Sequence, residues 1–391
     1  MKKKYLIMSV CVIIMELFFC GCWDKVEIDK RVFISTIGID IGEDIEKSKT
    51  IQSSQLEFLS NKADFKKLKV SYSFPDLKKV KDGLAETESK SVDAYSLTDA
   101  SNKFAVQSSR SLYMGHTKLL MFSSDLLKYK DTVKEIIDYI KRQPDFNRTV
   151  LVLVCEGKLE DYYKLKPKME KNLEDYIMGI MSNSQENSAI PEVNLNEFLY
   201  TLSENGNSLV PMISINKNKN EVMLKNMAII KDYEMVGKLG EEDVAQRQML
   251  NGKLKSGSKV VLYESHPVDY IIDGSNRNIK FFKANGKFVF NININLEGKI
   301  NACFPETKLL SEKNLDQIES KINKLVEEES KRFIEVSKEK YKSDFIGLDD
   351  HLKKYHPKVW NEVKDNSKEK LRNSVIIVNV KSDIRRVGVS Q

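Results

Sequence analysis

Apolar residues recur along this chain at two periods, and the period changes from stretch to stretch. Val32–Ile41 (VFISTIGIDI) is β-branched and apolar, with turn residues at Gly42–Asp44, and predicts a buried strand. Ile51–Leu59 and Lys69–Phe74 alternate more loosely and predict strands able to pair with it. Residues 75–90 are charged and irregular and predict a loop. Ser96–Ser109 carries Leu97, Ala100, Phe104 and Ala105 at helical spacing. Lys118–Phe122 predicts a short strand, Asp125–Arg142 an amphipathic helix closed by Pro144, and Thr149–Cys155 another buried strand. This order predicts a mixed sheet with helices on one face. Residues 156–220 are rich in Lys, Glu and Asn. They carry helical fragments at Leu173–Met181 and Leu195–Leu202, a loop at Asn183–Ser188 and a linker at Asn216–Asn220.

Beyond the linker the pattern turns to period two. Val222–Lys231 and Glu234–Leu239 flank Asp232-Tyr233 and predict a hairpin. Glu241–Leu250 predicts a short helix. Strands follow at Lys259–Tyr263, Asp269–Ile272, Ile279–Phe282, Phe288–Leu296 and Lys299–Phe304. The clearest alternation puts Phe288, Phe290, Ile292, Ile294 and Leu296 on one face, a half-buried antiparallel strand. From Ser311 to about Tyr341, Leu315, Ile318, Ile322, Leu325, Val326, Phe333 and Val336 recur at three- and four-residue steps. That is one helix ~45 Å long, interrupted by Glu329 and expected to pack on its own sheet rather than in a coiled coil. Val375–Val380 is a final strand. The sum is an α+β, multi-domain protein, with mixed and antiparallel sheets packed with helices and a long amphipathic helix in the C-terminal domain.

Composition excludes several classes. Of 391 residues, 41% are hydrophobic, enough for a packed core, which rules out disorder as the main state. Sixty-three Lys+Arg against 57 Asp+Glu give +6. That is a solvated surface, and no basic run is interleaved with aromatics, so nucleic acid is not a partner. Five Cys exclude a disulfide-dense scaffold.

The first 22 residues, MKKKYLIMSVCVIIMELFFCGC, change the picture most. Lys2, Lys3 and Lys4 precede an apolar stretch, Tyr5–Phe19, broken only by Glu16. It is shorter than the ~20 residues that span a bilayer, and charged sequence follows from Asp24, so it reads as a secretion signal. Phe19-Cys20-Gly21-Cys22 resembles a lipobox, with Gly21 and Cys22 in place and Phe19 and Cys20 unusual. On this reading residues 1–21 are the signal peptide and Cys22 is the lipidation site. The competing reading is an uncleaved membrane anchor with incidental cysteines. Loss of residues 1–21 removes three Lys and one Glu, leaving 370 residues at +4. The body then divides into residues 22–215, itself divisible into 22–165 and 166–215, and residues 216–391.

Candidate chemistry is sparse. His116 follows Gly115 before a strand, and His266 precedes Pro267. His351 and His356 lie five apart, where a zinc pair on a helix face wants four. Cys155 and Cys303 read as buried free thiols; a disulfide between them would join the two halves. Asp349-Asp350 and Glu327-Glu328-Glu329 read as solvated faces. There is no nucleophile elbow, phosphate loop or dinucleotide fingerprint. No catalytic, metal or cofactor residue is assigned, and binding or assembly is the expected class.

Four stretches together resemble the Ger(x)C family, the C-subunit lipoproteins of GerA-type spore germinant receptors. They are Gly21-Cys22-Trp23-Asp24-Lys25-Val26-Glu27-Ile28, Tyr113-Met114-Gly115-His116-Thr117-Lys118-Leu119-Leu120, Asn226–Asp232 through Val236–Leu239, and Asp344-Phe345-Ile346-Gly347 followed by Trp360. The resemblance implies an α+β, non-enzymatic subunit, lipidated at Cys22 and held on the spore inner membrane with its body outside the cytoplasm. It implies two integral-membrane partners, the A and B subunits, and a role in the response to nutrients. A lipoprotein that binds a small nutrient alone is the alternative, though the doubly wound lobes usual for that class are not predicted.

Overall fold

In the computed structural model the described residues are 27–49, 65–81, 84–167, 169–187, 190–204, 206–216, 221–302 and 311–387, with Lys4 and Asn218 as isolated positions. Cys22, Trp23, Cys303 and the expected Ile51–Leu59 strand lie outside them. In chain order the first elements are β1 (Arg31–Phe33), β2 (Thr36–Ile41), β3 (Leu68–Lys81), β4 (Leu84–Ala94), α1 (Leu97–Val106), β5 (Ser111–Tyr113) and β6 (Leu119–Ser123). Next come α2 (Lys130–Arg142), β7 (Leu151–Cys155), α3 (Leu159–Tyr163), α4 (Leu173–Asn187) and α5 (Leu195–Glu204). Then follow β8 (Asn207–Asn216), β9 (Glu221–Lys231), β10 (Glu234–Gly240), α6 (Glu241–Leu250), β11 (Gly257–Tyr263), β12 (His266–Ala284) and β13 (Lys287–Ala302). The chain closes with α7 (Glu312–Glu335), α8 (Leu348–Tyr355), α9 (Pro357–Val363), α10 (Ser367–Arg372) and β14 (Val375–Val387).

Eight strands form one mixed sheet in the order β10-β9-β8-β7-β6-β2-β3-β4. Its centre, β2-β6-β7-β8, is parallel, and both flanks are antiparallel. Parallel strands are buried on both faces. Ile37, Ile39, Leu120, Phe122, Val152 and Val154 face one core with α1, α2 and α5, and Leu119, Met121, Leu153 and Cys155 face a second with α3 and α4. The smaller sheet runs β11-β12-β13-β14 and shares the first core.

Several expectations are corrected. The Val32–Ile41 run is two strands, because the chain leaves β1, which pairs with β5, before entering the large sheet as β2. Residues 75–90 are not a loop but the distal part of the β3/β4 hairpin. Glu86, Glu88 and Lys90 lie on β4, the last strand of the sheet, where such charges discourage further pairing. The expected loop at Asn183 is helix through Asn187. Asp269–Ile272 and Ile279–Phe282 are one strand, bulged between Ile272 and Gly274, and Phe288–Leu296 continues unbroken to Ala302. The hairpin turn at Asp232-Tyr233, by contrast, is where the sequence puts it. Asp232-Tyr233 and Asn285-Gly286 both hold positive φ at both residues, as a type I′ turn requires. Asp125–Arg142 splits into a 3₁₀ turn at Leu126–Lys128 and α2.

The long helix packs on β14, β11 and α6, as its apolar stripe implied. Its polar face has a role the spacing did not reveal. Glu319, Asn323 and Glu327 accept from the backbone N–H groups of Ile384, Ser382 and Val380 at 2.8, 2.7 and 3.0 Å. Four helical residues rise ~6 Å and two strand residues ~6.6 Å, so the two repeats match. The helix thereby covers the free edge of β14. Glu327-Glu328-Glu329 is therefore not a uniformly solvated face. Glu329 accepts from Lys259 and Gln246, and Ser330 donates to Gln246 at 3.2 Å. The interruption in the apolar pattern is thus the anchor of a buried polar network.

Candidate functional site

The strand that follows the first signature stretch, β1, meets the second stretch at one corner. Three residues of β1 pair in parallel with β5. Phe33 packs edge-on against Tyr113 at 5.5 Å and His116 at 5.1 Å, and the Arg31 guanidinium lies 4.7 Å over the Tyr113 ring. These are favourable aromatic and cation–π geometries. A Cβ on Gly115 would stand 2.5 Å from the Tyr113 hydroxyl, so glycine lets that ring fold back. His116 is exposed and takes part in this cluster rather than in a metal site. Only five bonds of chain separate Cys22 from Glu27, and an extended chain covers at most ~3.6 Å per residue. Glu27 is thus within ~18 Å of Cys22, and the corner begins four residues further on, at Arg31.

The last two stretches meet at the other site, a cavity of 570 Å³ between α5, the end of α7 and α8–α10. The helix leaves α7 through a π turn, Val336–Lys340, and Tyr341 follows. Its carbonyl accepts from Lys231 at 3.1 Å, and its ring rests on Gly237, where a Cβ would lie 2.8 Å away. Asp344 then organises the next turn. Its carboxylate accepts from the N–H groups of Ile346, Gly347 and Asp349 at 3.1, 3.0 and 2.9 Å. Gly347 sits at φ 81°, a left-handed position that suits glycine. The turn built on Asp344 and Gly347 opens α8.

The cavity floor is apolar, with Ile334, Phe345, Leu348 and Ile376. Its walls carry Lys231, Lys338, Lys342, Lys353, Lys364, Lys368 and Arg372 against Glu204, Asp344 and Asp349. Lys338 donates to the Ser374 carbonyl, and burial lowers its pKa. Lys353 sits 3.6 Å from Asp349 and 4.9 Å over the Trp360 ring. An excess of cations above an apolar floor attracts anionic groups carried on apolar bodies. The sequence hid this wall because its lysines are spread over separate elements. His351 and His356 stack near Phe281 and Tyr355, their rings 5.7 Å apart. Among the described residues no three His, Cys, Asp or Glu side chains converge to hold a metal. Cys155 is a buried free thiol whose pKa burial pushes well up.

Asp349 is the other carboxylate that the sequence misread as solvated. Burial, and then the charge and hydrogen bond of Asp344, raise its pKa to about 6. In the unfolded chain it ionises near 4. Between those values the folded state holds the extra proton, so stability declines as pH rises from 4 through 6, by up to ~3 kcal/mol. Asp349→Asn is expected to flatten this segment and to raise stability at pH 7 by ~1–2 kcal/mol. Urea midpoints of both proteins from pH 4 to 7 check it; parallel curves would show that Asp349 is not the group responsible.

A mixed eight-stranded sheet and a four-stranded sheet edged by a long helix define an α+β body. Among the described residues no helix is long and apolar enough to cross a membrane. Residues 24–215 match the family described as spore germination protein N-terminal domain, and residues 225–388 match spore germination B3/GerAC like, C-terminal. The chain belongs to the Ger(x)C family of spore germination proteins. It is 25% identical to spore germination protein KC of Bacillus subtilis (strain 168), over 100% of this chain and 97% of that one. Spore germination protein B3 of the same organism is 23% identical over 90% and 89%. The crystal structure of the GerBC protein superposes with a TM-score of 0.58 at 18% identity, covering 81% of this chain and 93% of that one, which shows the α+β fold.

Proposed function

We propose that this chain is the lipid-anchored, non-catalytic subunit of a nutrient germinant receptor. Diacylglyceryl Cys22 holds it on the spore inner membrane, outside the cytoplasm, where it assembles with the integral-membrane A and B subunits. The observation that carries this reading is where the family match begins: Asp24, two residues after Cys22, from which it runs with one short gap to residue 388. The folded body therefore follows the lipobox almost at once. The division of the body near residue 216 stays a proposal of the same kind; β8 and β9 pair across it, so it separates segments of sequence within one sheet.

The test is deletion of the gene and scoring of spore germination against defined amino acids and sugars. The expected result is loss of the response to at least one nutrient class, restored by the wild-type gene. Wild-type germination with every nutrient, in a strain lacking the paralogous receptors, would overturn the reading.

A further inference from the structure

The far face of β2-β3-β4 is polar where the rest of the large sheet is apolar. Alternation puts Ile37, Val70 and Tyr72 into the main core and turns Thr36, Ser71 and Ser73 to the other side, all of them buried. Ser71 and Ser73 meet Ser91 and Ser89 of β4 at 2.8 Å each. Helix α4 covers β6–β8 and leaves this corner to the segment between α3 and α4. Between that segment and the strands lies a cavity of 830 Å³.

Its lining is unusual in its unmet hydrogen bonds. Thr36 is 2% exposed, yet its Oγ1 has no partner. Asn172 Oδ1, buried at this cavity, has none either, and the buried Tyr163 hydroxyl has only a loose interaction with Ser73. Buried polar atoms are nearly always satisfied, and such unmet groups around one space mean that the space supplies the partners. Glu174, 6% exposed, adds a carboxylate. It accepts only from Thr87, at 3.2 and 3.3 Å, and among the described residues no cation pairs with it. The backbone is shaped for this: a Cβ on Gly38 would lie 2.2 Å from the Tyr163 hydroxyl, so glycine is what allows that hydroxyl to reach over β2.

The chemistry left open is specific. A carboxylate and an amide oxygen call for donors with positive charge, and the hydroxyls of Thr36 and Tyr163 both donate and accept. Lys164, Lys166 and Lys171 also line the cavity, beside Glu86 and Glu170, but none of them pairs with Glu174 among the described contacts, and the volume far exceeds the ~30 Å³ share of one water. We propose that this cavity binds a small polyhydroxylated primary amine, its ammonium held by Glu174 and Asn172 and its hydroxyls by Thr36 and Tyr163. The site is separate from the cationic cavity and does not depend on the receptor reading.

Calorimetric titration of the full-length protein in detergent micelles tests it with three probes. Glucosamine carries both ammonium and hydroxyls, N-acetylglucosamine keeps the hydroxyls without the charge, and glucose lacks the nitrogen. Glucosamine is expected to bind saturably, at least tenfold tighter than either control, and Glu174→Gln to abolish the preference. Because Glu174→Gln also disturbs Thr87, Tyr163→Phe is the second variant. It removes a hydroxyl whose interaction with Ser73 is loose, so it should leave the urea midpoint of the free protein nearly unchanged while weakening glucosamine several-fold. Absence of saturable glucosamine binding, equal binding of the three probes, or unchanged affinity in Tyr163→Phe would each overturn the proposal.

Discussion

Cys22→Ala is expected to abolish incorporation of labelled palmitate and to leave the protein either as a precursor that keeps residues 1–21 or free of the membrane. The expectation rests on the arithmetic of anchoring. Burial of acyl CH₂ groups contributes ~0.8 kcal/mol each, so one fourteen-carbon chain holds a protein only marginally, at ~10⁴ M⁻¹, and two hold it stably. A formal charge of +4 on the body after residue 21 cannot replace them, since each cation near an anionic surface contributes only ~1 kcal/mol and acidic residues are nearly as numerous. On the proposed reading, membrane retention depends on one thiol. Fractionation of sporulating cells, with palmitate labelling, gives the readout. Normal labelling and normal processing of the alanine variant would remove Cys22 as the lipidation site. Substitution of Cys20 separates the two adjacent cysteines, because its loss is expected to leave labelling intact.

Phe290→Ala is expected to cost ~3–5 kcal/mol, the largest effect of any single truncation proposed for the body. Phe290 is fully buried in β13, opposite Phe281 with ring centres 5.1 Å apart, and registers with Ile376 of β14. Its removal opens a void between the small sheet and its covering helices, where relaxation recovers few contacts. Asn295, exposed on the other face of the same strand, is the control, with an expected change below ~0.5 kcal/mol on alanine substitution. Urea titration monitored by circular dichroism measures both. Similar midpoints for the two variants would mean that β13 does not carry the core of the small sheet.

These two residues also show how far the pattern of residues reaches. Phe290 was legible because alternation leaves a strand one choice of face, and Phe288, Phe290, Ile292, Ile294 and Leu296 are all buried. The turn at Asp232-Tyr233 and the buried stripes of α2 and α7 were legible for the same reason: period and turn chemistry are local. The β3/β4 hairpin was not, because an edge strand exposes charge on one side and pairs polar residues on the other, so Lys69–Lys90 shows no apolar alternation beyond Phe74. Cys22 is legible in another way, since its proposed role as a lipidation site rests on the short stretch Phe19-Cys20-Gly21-Cys22 and not on burial.

The sequence alone determined the α+β class, most of the helices and strands, the lipobox cysteine as the expected anchor, and a family resemblance that the domain matches bear out. Each depends on residues close together in the chain. Tertiary structure decided what depends on residues far apart. It joined β9 and β10 to the N-terminal strands, set Glu319, Asn323 and Glu327 against the edge of β14, gathered lysines from separate elements around one cavity, and placed Glu174 opposite Thr36 and Tyr163. The physical reason is that hydrophobic period fixes which face of an element is buried, whereas the partners of a polar group are fixed only when distant segments pack together.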